Sequence, residues 1–164
     1  MARISEKNRK YISKADIVGS VSKVYQLYTL SELPNFHILL DHFLWAWKEY
    51  NGKYKGCKWW SEKAYEQYVK REENKTKGLI HDHVVPRDVI RQEILKMVTN
   101  NCTEEQLYNF FDRHLLGCVI TKEEDNTFRK LGLRNILGCN LDTHTTWNRY
   151  EVAKISRKKV MWRK

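Results

Sequence analysis

The sequence predicts an α+β domain that is mainly helical and holds a small two-stranded antiparallel sheet. Apolar residues recur at helical spacing along most of the chain, whereas strand-forming runs begin at Leu79 and Leu115. A chain of 164 residues fits one compact domain with a sizeable core. We divide it into a helical N-terminal part over 1–77, a part with strands and a helical insertion over 78–133, and a C-terminal segment with a basic tail over 134–164.

Three helices are predicted in the N-terminal part. Asp16 is a candidate cap for the first helix, Pro34 separates the first from the second, and Ser61 fits the N-cap of the third. Apolar side chains follow each start at a spacing of three or four residues, which leaves each helix one face for the core. The expected ranges are 17–28, 35–50 and 62–73.

The next part of the chain alternates strands with helices, and two capping boxes mark helix starts. One box joins Thr103 to Gln106, and the other joins Thr121 to Glu124. Gly132 is placed to end the helix that follows the second box. In chain order we expect a strand over 79–85, helices over 87–98 and 104–114, a strand over 115–120, and helices over 122–131 and 147–153.

The chain is strongly basic, with a formal net charge of +10 and a pI of about 9.4. Such an imbalance favours a polyanionic partner, nucleic acid first, although a basic protein without such a partner is the alternative. Basic residues at the ends of a chain either bind phosphates or form solvated tails. The basic residues at the ends are Arg3, Lys7, Arg9, Lys10 and Lys14, then Lys154, Arg157, Lys158, Lys159, Arg163 and Lys164.

Several classes of function lack their sequence signals. The longest apolar run is too short to span a bilayer, and residues 1–7 contain no signal-peptide core, so we expect a cytoplasmic protein without a membrane partner. The four cysteines form no C-x-x-C pair, which argues against a zinc ribbon and favours free thiols. The sequence also has neither a glycine-rich phosphate loop nor a G-x-S-x-G elbow.

The strongest candidate for chemistry is the segment 79–86, in which His81, Asp82 and His83 interrupt an apolar run that Pro86 closes. Burying such side chains is costly unless they have partners. On a strand His81 and His83 share one face and Asp82 lies on the other, unless a bend brings the three together. Histidine and aspartate together supply a general base and metal ligands.

This block and the segment 119–125 together resemble the HNH, or ββα-metal, nuclease family. Members often end a first strand with an Asp-His-hydrophobic-hydrophobic-Pro block, which 82–86 matches. Their second strand commonly runs into a helix start of the Thr-Lys-Glu-Glu-His type, which 121–125 resembles. The resemblance implies that the two strands and the helix after them form a ββα-metal-like element within 78–133.

The resemblance implies a role for each matched residue. His83 matches the general base that activates a water, Asp82 matches a metal ligand, and Asp125 stands where the family usually places a histidine ligand. His81 and Glu124 are candidates for an extra ligand or a supporting group. Oxygen ligands make Mg²⁺ or Mn²⁺ the expected cofactor, which would stabilise the scissile phosphate while the base deprotonates the water.

Structural roles stay open for the same residues. The ring of His83 can bond a backbone carbonyl, and Asp82 can pair with Arg87 or another base. Glu124 and Asp125 lie in the first turn of a helix, where acidic side chains complement the helix dipole. These alternatives explain the residue types without any chemistry.

A second segment, over 45–60, mixes aromatic residues with lysines. The mixture resembles a surface that stacks bases and holds phosphates. Aromatic residues at helical spacing more often belong to the core. Lysines beside them often only cover apolar surface with the aliphatic part of their side chains. The residues are Trp45, Trp47, Tyr50, Tyr54, Trp59 and Trp60, with Lys48, Lys53, Lys55 and Lys58.

The leading functional prediction is a divalent-metal-dependent HNH-type endonuclease that hydrolyses phosphodiester bonds, with DNA favoured over RNA. Arg87, Arg91 and Lys122 are candidate phosphate contacts near the predicted site, and Lys158 and Lys159 are candidates in the tail. A homodimer would suit a symmetric cut. The alternatives are a non-catalytic nucleic-acid-binding protein and a small inhibitor or regulator that binds an acidic protein.

Overall fold

The computed structural model describes residues 12–29 and 35–162, and all statements on structure concern these residues. They form seven helices and four short strands, which confirms the mainly helical α+β class. The helices are α1 (Lys14–Thr29), α2 (Phe36–Lys48), α3 (Glu62–Lys70), α4 (Arg87–Thr99), α5 (Glu104–His114), α6 (Lys122–Lys130) and α7 (Asn148–Val152). The strands are β1 (Trp59–Ser61), β2 (Leu79–His83), β3 (Gly117–Thr121) and β4 (Arg157–Lys159).

Four of the helices, α1, α2, α4 and α5, share one apolar core. Each buries a stripe of residues spaced three or four apart, as the sequence pattern predicts. The Tyr25 hydroxyl also donates a hydrogen bond to the backbone oxygen of Arg91 at 2.9 Å, which joins α1 to α4. The largest fully buried members of this core are Ile17, Tyr25, Leu40, Leu44, Ile90, Ile94, Leu107 and Phe111.

The four strands form one mixed sheet in the order β2-β3-β1-β4. β2 pairs antiparallel with β3, with His81 opposite Val119. β1 runs parallel to β3, and β4 pairs antiparallel with β1, with Trp59 opposite Lys159. The predicted sheet of two strands is therefore incomplete, since two more strands extend it beyond β3.

The two missed strands are three residues long, which is too short for an alternating pattern to appear in the sequence. β1 lies directly before the Ser61 cap, so only the helix after it was predicted. β4 consists of three basic residues, and the sequence predicted a basic tail there. Each strand exists because a neighbouring strand from a distant part of the chain supplies its hydrogen bonds.

The two faces of the sheet pack against different layers. On the face of His81 and His83, Trp60 and Val119 lie in a cluster with residues of α3. On the opposite face, Cys118 and Ile120 pack with residues of α6 and α7. Strands from all three predicted segments, 1–77, 78–133 and 134–164, therefore share this sheet.

The helix caps follow the sequence closely, with one correction. The capping boxes at Thr103 and Thr121 are present, and the Ser61 hydroxyl accepts from the backbone N–H of Ala64 at 3.1 Å. Asp16 does not precede α1 but lies in its first turn. There its carboxylate accepts from the N–H of Ser13, whose hydroxyl accepts from the Asp16 N–H at 3.1 Å.

No helix in the described residues is long and apolar enough to cross a membrane. All four cysteines are free, as their spacing predicted.

Candidate functional site

Strand β2 carries three ionisable residues in succession, and the alternation of the strand separates them. His81 and His83 are buried on one face, and Asp82 lies on the other. Within the described strand β2, no bend brings the two histidines and the carboxylate together. The site therefore has two halves on opposite sides of one edge strand.

Asp82 is held by a buried arginine that the sequence predictions did not include. The Arg149 guanidinium, whose residue is 2% exposed, donates to the Asp82 carboxylate and to the backbone oxygens of Val84 and Leu133 at 3.2 Å and 3.0 Å. The Tyr150 hydroxyl donates to the same Asp82 oxygen at 2.8 Å. Burial raises the pKa of Asp82, and the charge of Arg149 opposes that shift.

On the other face, Lys48 at the end of α2 reaches both histidines. Its Nζ donates to the backbone oxygen of His81 at 3.2 Å and lies 3.1 Å from Nδ1 of His83. The ammonium also lies 3.6 Å from the centre of the Trp45 ring. Burial lowers the pKa of Lys48 to about 7, because none of these three contacts is with a carboxylate that would offset the desolvation of the ammonium.

Both histidines are kept neutral by burial. The pKa of His81 falls to about 4, although Glu49 lies 3.2 Å from its Nδ1, and the pKa of His83 falls well below its usual value. The Nε2 atoms of His81 and His83 are buried and have no hydrogen-bond partner among the described residues. Neutral imidazoles with a free ring nitrogen can move a proton, so this half of the site has the groups for acid–base chemistry.

Glycine at position 117 permits this arrangement. Gly117 lies opposite His83 in the sheet, and a Cβ there would overlap Nε2 of His81. The ring of His81 therefore occupies the space that any other residue at 117 would need.

The acids at the start of α6 have different surroundings. Glu124 is buried and accepts from the Ser61 hydroxyl at 2.6 Å and from the Thr121 N–H at 2.9 Å, so it caps α6 and joins it to β1. The side chain of Asp125 is 21% exposed and lies 4.0 Å from Arg129. Asp125 is near enough to Asp82 for charge repulsion to raise the pKa of Asp82.

These residues do not fit a resident divalent ion. A cation at Asp82 would have to replace the guanidinium of Arg149, and His83 lies on the far side of the strand. Within the described residues there is no group of three or more histidine, cysteine, aspartate or glutamate side chains that could hold a metal ion. The expected Mg²⁺ or Mn²⁺ cofactor stays a prediction of the resemblance.

The predicted phosphate contacts differ in how free their charges are. Arg87 binds Asp41 at 2.7 Å, and Arg91 binds Asp88 at 2.5 Å, so acids already neutralise both. Lys122 is exposed at the first turn of α6. The two tail lysines are on β4, where Lys158 lies over the ring of Tyr65 at 3.5 Å and Lys159 faces a cleft.

This cleft, which we call the lysine cleft, is a cavity of about 320 Å³ between the sheet and helices α1, α2 and α5. Four lysines and one carboxylate line it, and Lys14 pairs with that carboxylate, Asp112, at 3.2 Å. In the described part of the chain Lys58 and Lys159 form no ion pair. The lining residues are Lys14, Trp47, Lys48, Asn51, Gly56, Cys57, Lys58, Trp59, Asp112, Leu115, Leu116, Gly117 and Lys159.

The aromatic residues near the cleft divide between core and surface. Trp47 and Trp60 are buried in two different apolar clusters, in agreement with the core interpretation. Trp59 is half-buried and lines the lysine cleft. Lys48, one of the lysines of this segment, continues the buried stripe of α2 four residues after Leu44, and that spacing indicates its burial.

Comparison with known proteins found no match for this chain among protein-family models, curated proteins or solved structures. The HNH resemblance therefore stays a prediction from the two motifs.

Proposed function

We propose that this protein binds nucleic acid, with the lysine cleft as the contact for the phosphate backbone. The observation that supports the proposal is the cleft lining, in which four lysines face one carboxylate. Lys58 and Lys159 are the exposed lysines there that no described acid neutralises, whereas Lys48 is buried against the two histidines. Unpaired cations in a concave site concentrate positive potential, which attracts a polyanion.

The wider charge distribution supports the same partner. The whole chain carries a formal charge of +10, and β4 adds three consecutive basic residues beside the cleft. Lysine contacts to phosphates release condensed counterions, so affinity of this kind falls steeply with salt. The binding needs no metal, because the lysines contact the phosphates directly.

The test is fluorescence anisotropy of labelled DNA and RNA over a salt series, with EDTA present throughout. We expect salt-dependent binding that the double variant Lys58→Gln/Lys159→Gln weakens. Each lost phosphate contact should lower the slope of log K against log salt by about 0.7 to 0.9, hence by about 1.4 to 1.8 for both lysines. Lys130→Gln, which changes an exposed lysine of α6 outside the cleft, is the control. It should alter the affinity and the salt slope only by the small amount expected from the loss of one charge.

The absence of binding to either nucleic acid at low salt would contradict the proposal. An equal loss of affinity in the control and in a single Lys58→Gln variant would show that net charge, and not the cleft, carries the binding.

A second candidate function is phosphodiester hydrolysis of the HNH type, with His83 as general base. It is favoured by the chain order, in which β2 pairs antiparallel with β3 and α6 follows β3 at once. Burial keeps His83 neutral, which is the form that accepts a proton. Cleavage of plasmid DNA or structured RNA in Mg²⁺ or Mn²⁺, lost in EDTA and in His83→Ala, would establish it and would show that a divalent ion binds in spite of the Arg149–Asp82 pair. No cleavage by folded protein would exclude it.

A further inference from the structure

We propose, on the basis of the proposed function, that the lysine cleft accepts an unpaired nucleotide, so that the protein prefers single strands to duplexes. In this arrangement a nucleobase stacks on the ring of Trp59, and the adjoining phosphates contact Lys58 and Lys159. Trp59, Lys58 and Lys159 all line this small cavity, and the two lysines form no ion pair with any described residue. This juxtaposition carries the inference.

The strand register holds the ring and the charge side by side. Trp59 and Lys159 are directly opposite each other in the β1–β4 pair. Side chains opposite each other in an antiparallel pair project from the same face with Cβ atoms about 5 Å apart. Lys58 directly precedes β1 and also lines the cleft. A nucleotide that places its base on Trp59 therefore meets the ammonium of Lys159 from the neighbouring strand, with Lys58 at the start of β1.

The ring of Trp59 is a fixed platform. Trp147 packs against it edge-on, with ring centres 5.1 Å apart and planes at 63°. Arg157 in turn lies 4.4 Å from the centre of the Trp147 ring. A ring already held by its neighbours loses little conformational freedom when a base stacks on it, so more of the stacking energy appears as affinity.

The shape of the cleft favours an unpaired base. Its volume of about 320 Å³ is at the small end of the range for small-molecule sites, roughly 300–1,000 Å³. Trp47 forms a packed part of the wall, since its ring is buried against Tyr108 and Phe111 with ring centres 5.1 Å and 5.2 Å away. The bases of a duplex are stacked inside it, so only its phosphates can contact the cleft. Turning a base outward would cost the free energy of unstacking it.

The experiment compares three labelled DNA probes of about 12 nucleotides, within the roughly 4–16 nucleotides that single-strand sites cover. They are a thymine single strand, a strand of the same phosphate number with abasic sugars throughout, and a duplex. We expect the thymine strand to bind about tenfold more tightly than the abasic strand, as stacking of one or more bases on an aromatic ring predicts. The duplex should bind more weakly than the thymine strand at equal salt.

Trp59→Leu should reduce the affinity for the thymine strand about tenfold and leave the abasic strand unchanged, whereas Trp59→Phe should retain most of the preference. If Trp59→Leu does not fold, the comparison of thymine and abasic strands with the unaltered protein still decides. Equal affinity for these two strands, or tighter duplex binding, would overturn the single-strand inference while leaving phosphate binding in place. Failure to bind any of the three probes would overturn the proposed function as well.

Discussion

At the scale of single residues, the partners of Asp82 explain how a charge is tolerated in this strand. Arg149 and Tyr150 both donate to its carboxylate, and the other N–H groups of the Arg149 guanidinium donate to backbone oxygens. An isolated buried charge would be costly, whereas this one is paired and hydrogen-bonded. The pair also joins β2 to α7, which lie far apart in the sequence.

We predict that breaking this pair destabilises the fold. Arg149→Met and Asp82→Asn should each lower the free energy of unfolding by about 3–5 kcal/mol, because each leaves a buried charge without its partner. Urea unfolding with EDTA present measures the loss. The control is Asp88→Asn, since Asp88 pairs with Arg91 on the surface and its loss should cost less than about 1 kcal/mol. An equally small effect of Asp82→Asn would contradict the structural role.

A second residue-scale prediction concerns acid. The pKa of His81 is about 4 in the folded protein and 6.5 in an unfolded chain, so between these values only the unfolded state binds the proton. Stability should therefore fall as the pH drops from 6.5 to 4, by up to about 3 kcal/mol from this group.

The measurement is urea unfolding at several pH values in this window for the unaltered protein, His81→Gln and the control His37→Gln. His81→Gln should show the shallower dependence on pH, and His37→Gln, a change at an exposed position, should follow the unaltered protein. Identical slopes in all three proteins would show that folding does not shift the pKa of His81.

At the scale of elements, the two capping boxes have the same sequence logic but different surroundings. The box at Thr103 is exposed, and its bonds are within the first turn of α5. The box at Thr121 is buried, and its acid Glu124 also accepts from Ser61 of β1. The same local motif therefore caps a helix in one place and joins a helix to the sheet in the other.

We predict that the cost of losing each cap reflects this difference. Thr103→Ala should lower the free energy of unfolding by about 1 kcal/mol, the usual value for a lost N-cap. Thr121→Ala should cost about 2 kcal/mol or more, because it also removes the bond that the Thr121 hydroxyl donates to the buried Glu124 carboxylate. Urea unfolding of the two variants side by side tests the order, and an equal cost would mean that the bond from the Thr121 hydroxyl to Glu124 adds nothing.

At the scale of the whole molecule, the C-terminal strand closes the sheet. β4 pairs with β1, and Trp162 beyond it packs against Trp60 and Tyr68 with ring centres 5.6 Å and 5.3 Å away. Residues 157–162 of the basic end that resembled a solvated tail thus pack beside α3. The lysines of β4 project from a strand whose position is defined by the sheet. The remaining basic residues predicted at the chain ends, which are Arg3, Lys7, Arg9, Lys10, Arg163 and Lys164, lie outside the described residues.

We predict that truncation after Ser156 destabilises the whole fold by more than about 3 kcal/mol, because it removes a strand and a large aromatic side chain. Thermal unfolding followed by circular dichroism measures the change. The variant Lys158→Gln/Lys159→Gln keeps the strand and Trp162, so its melting temperature should stay near that of the unaltered protein. A truncated protein that melts at the usual temperature would restore the tail interpretation.

Much of the fold could be predicted because its signals are local. Apolar spacing located the helices, the capping-box pairs of a threonine with Gln106 or Glu124 located two caps, and the runs at Leu79 and Leu115 located β2 and β3. For the candidate site, strand alternation correctly allowed for the separation of His81 and His83 from Asp82. The pairing of Asp82 with Arg149 could not be predicted, since the sequence contains many lysines and arginines and no local pattern selects one of them as the partner.

The sequence by itself determined the class of fold, the starts of most helices, the antiparallel pair of strands and the basic character of the molecule. These features depend on periodicity, caps and charge, which act over a few residues or add up over the chain. Only the tertiary structure decided the strands β1 and β4, the partners of Asp82 and Lys48, and the lysine cleft. Those features arise from contacts between residues far apart in the chain, and no local pattern specifies which distant groups will meet.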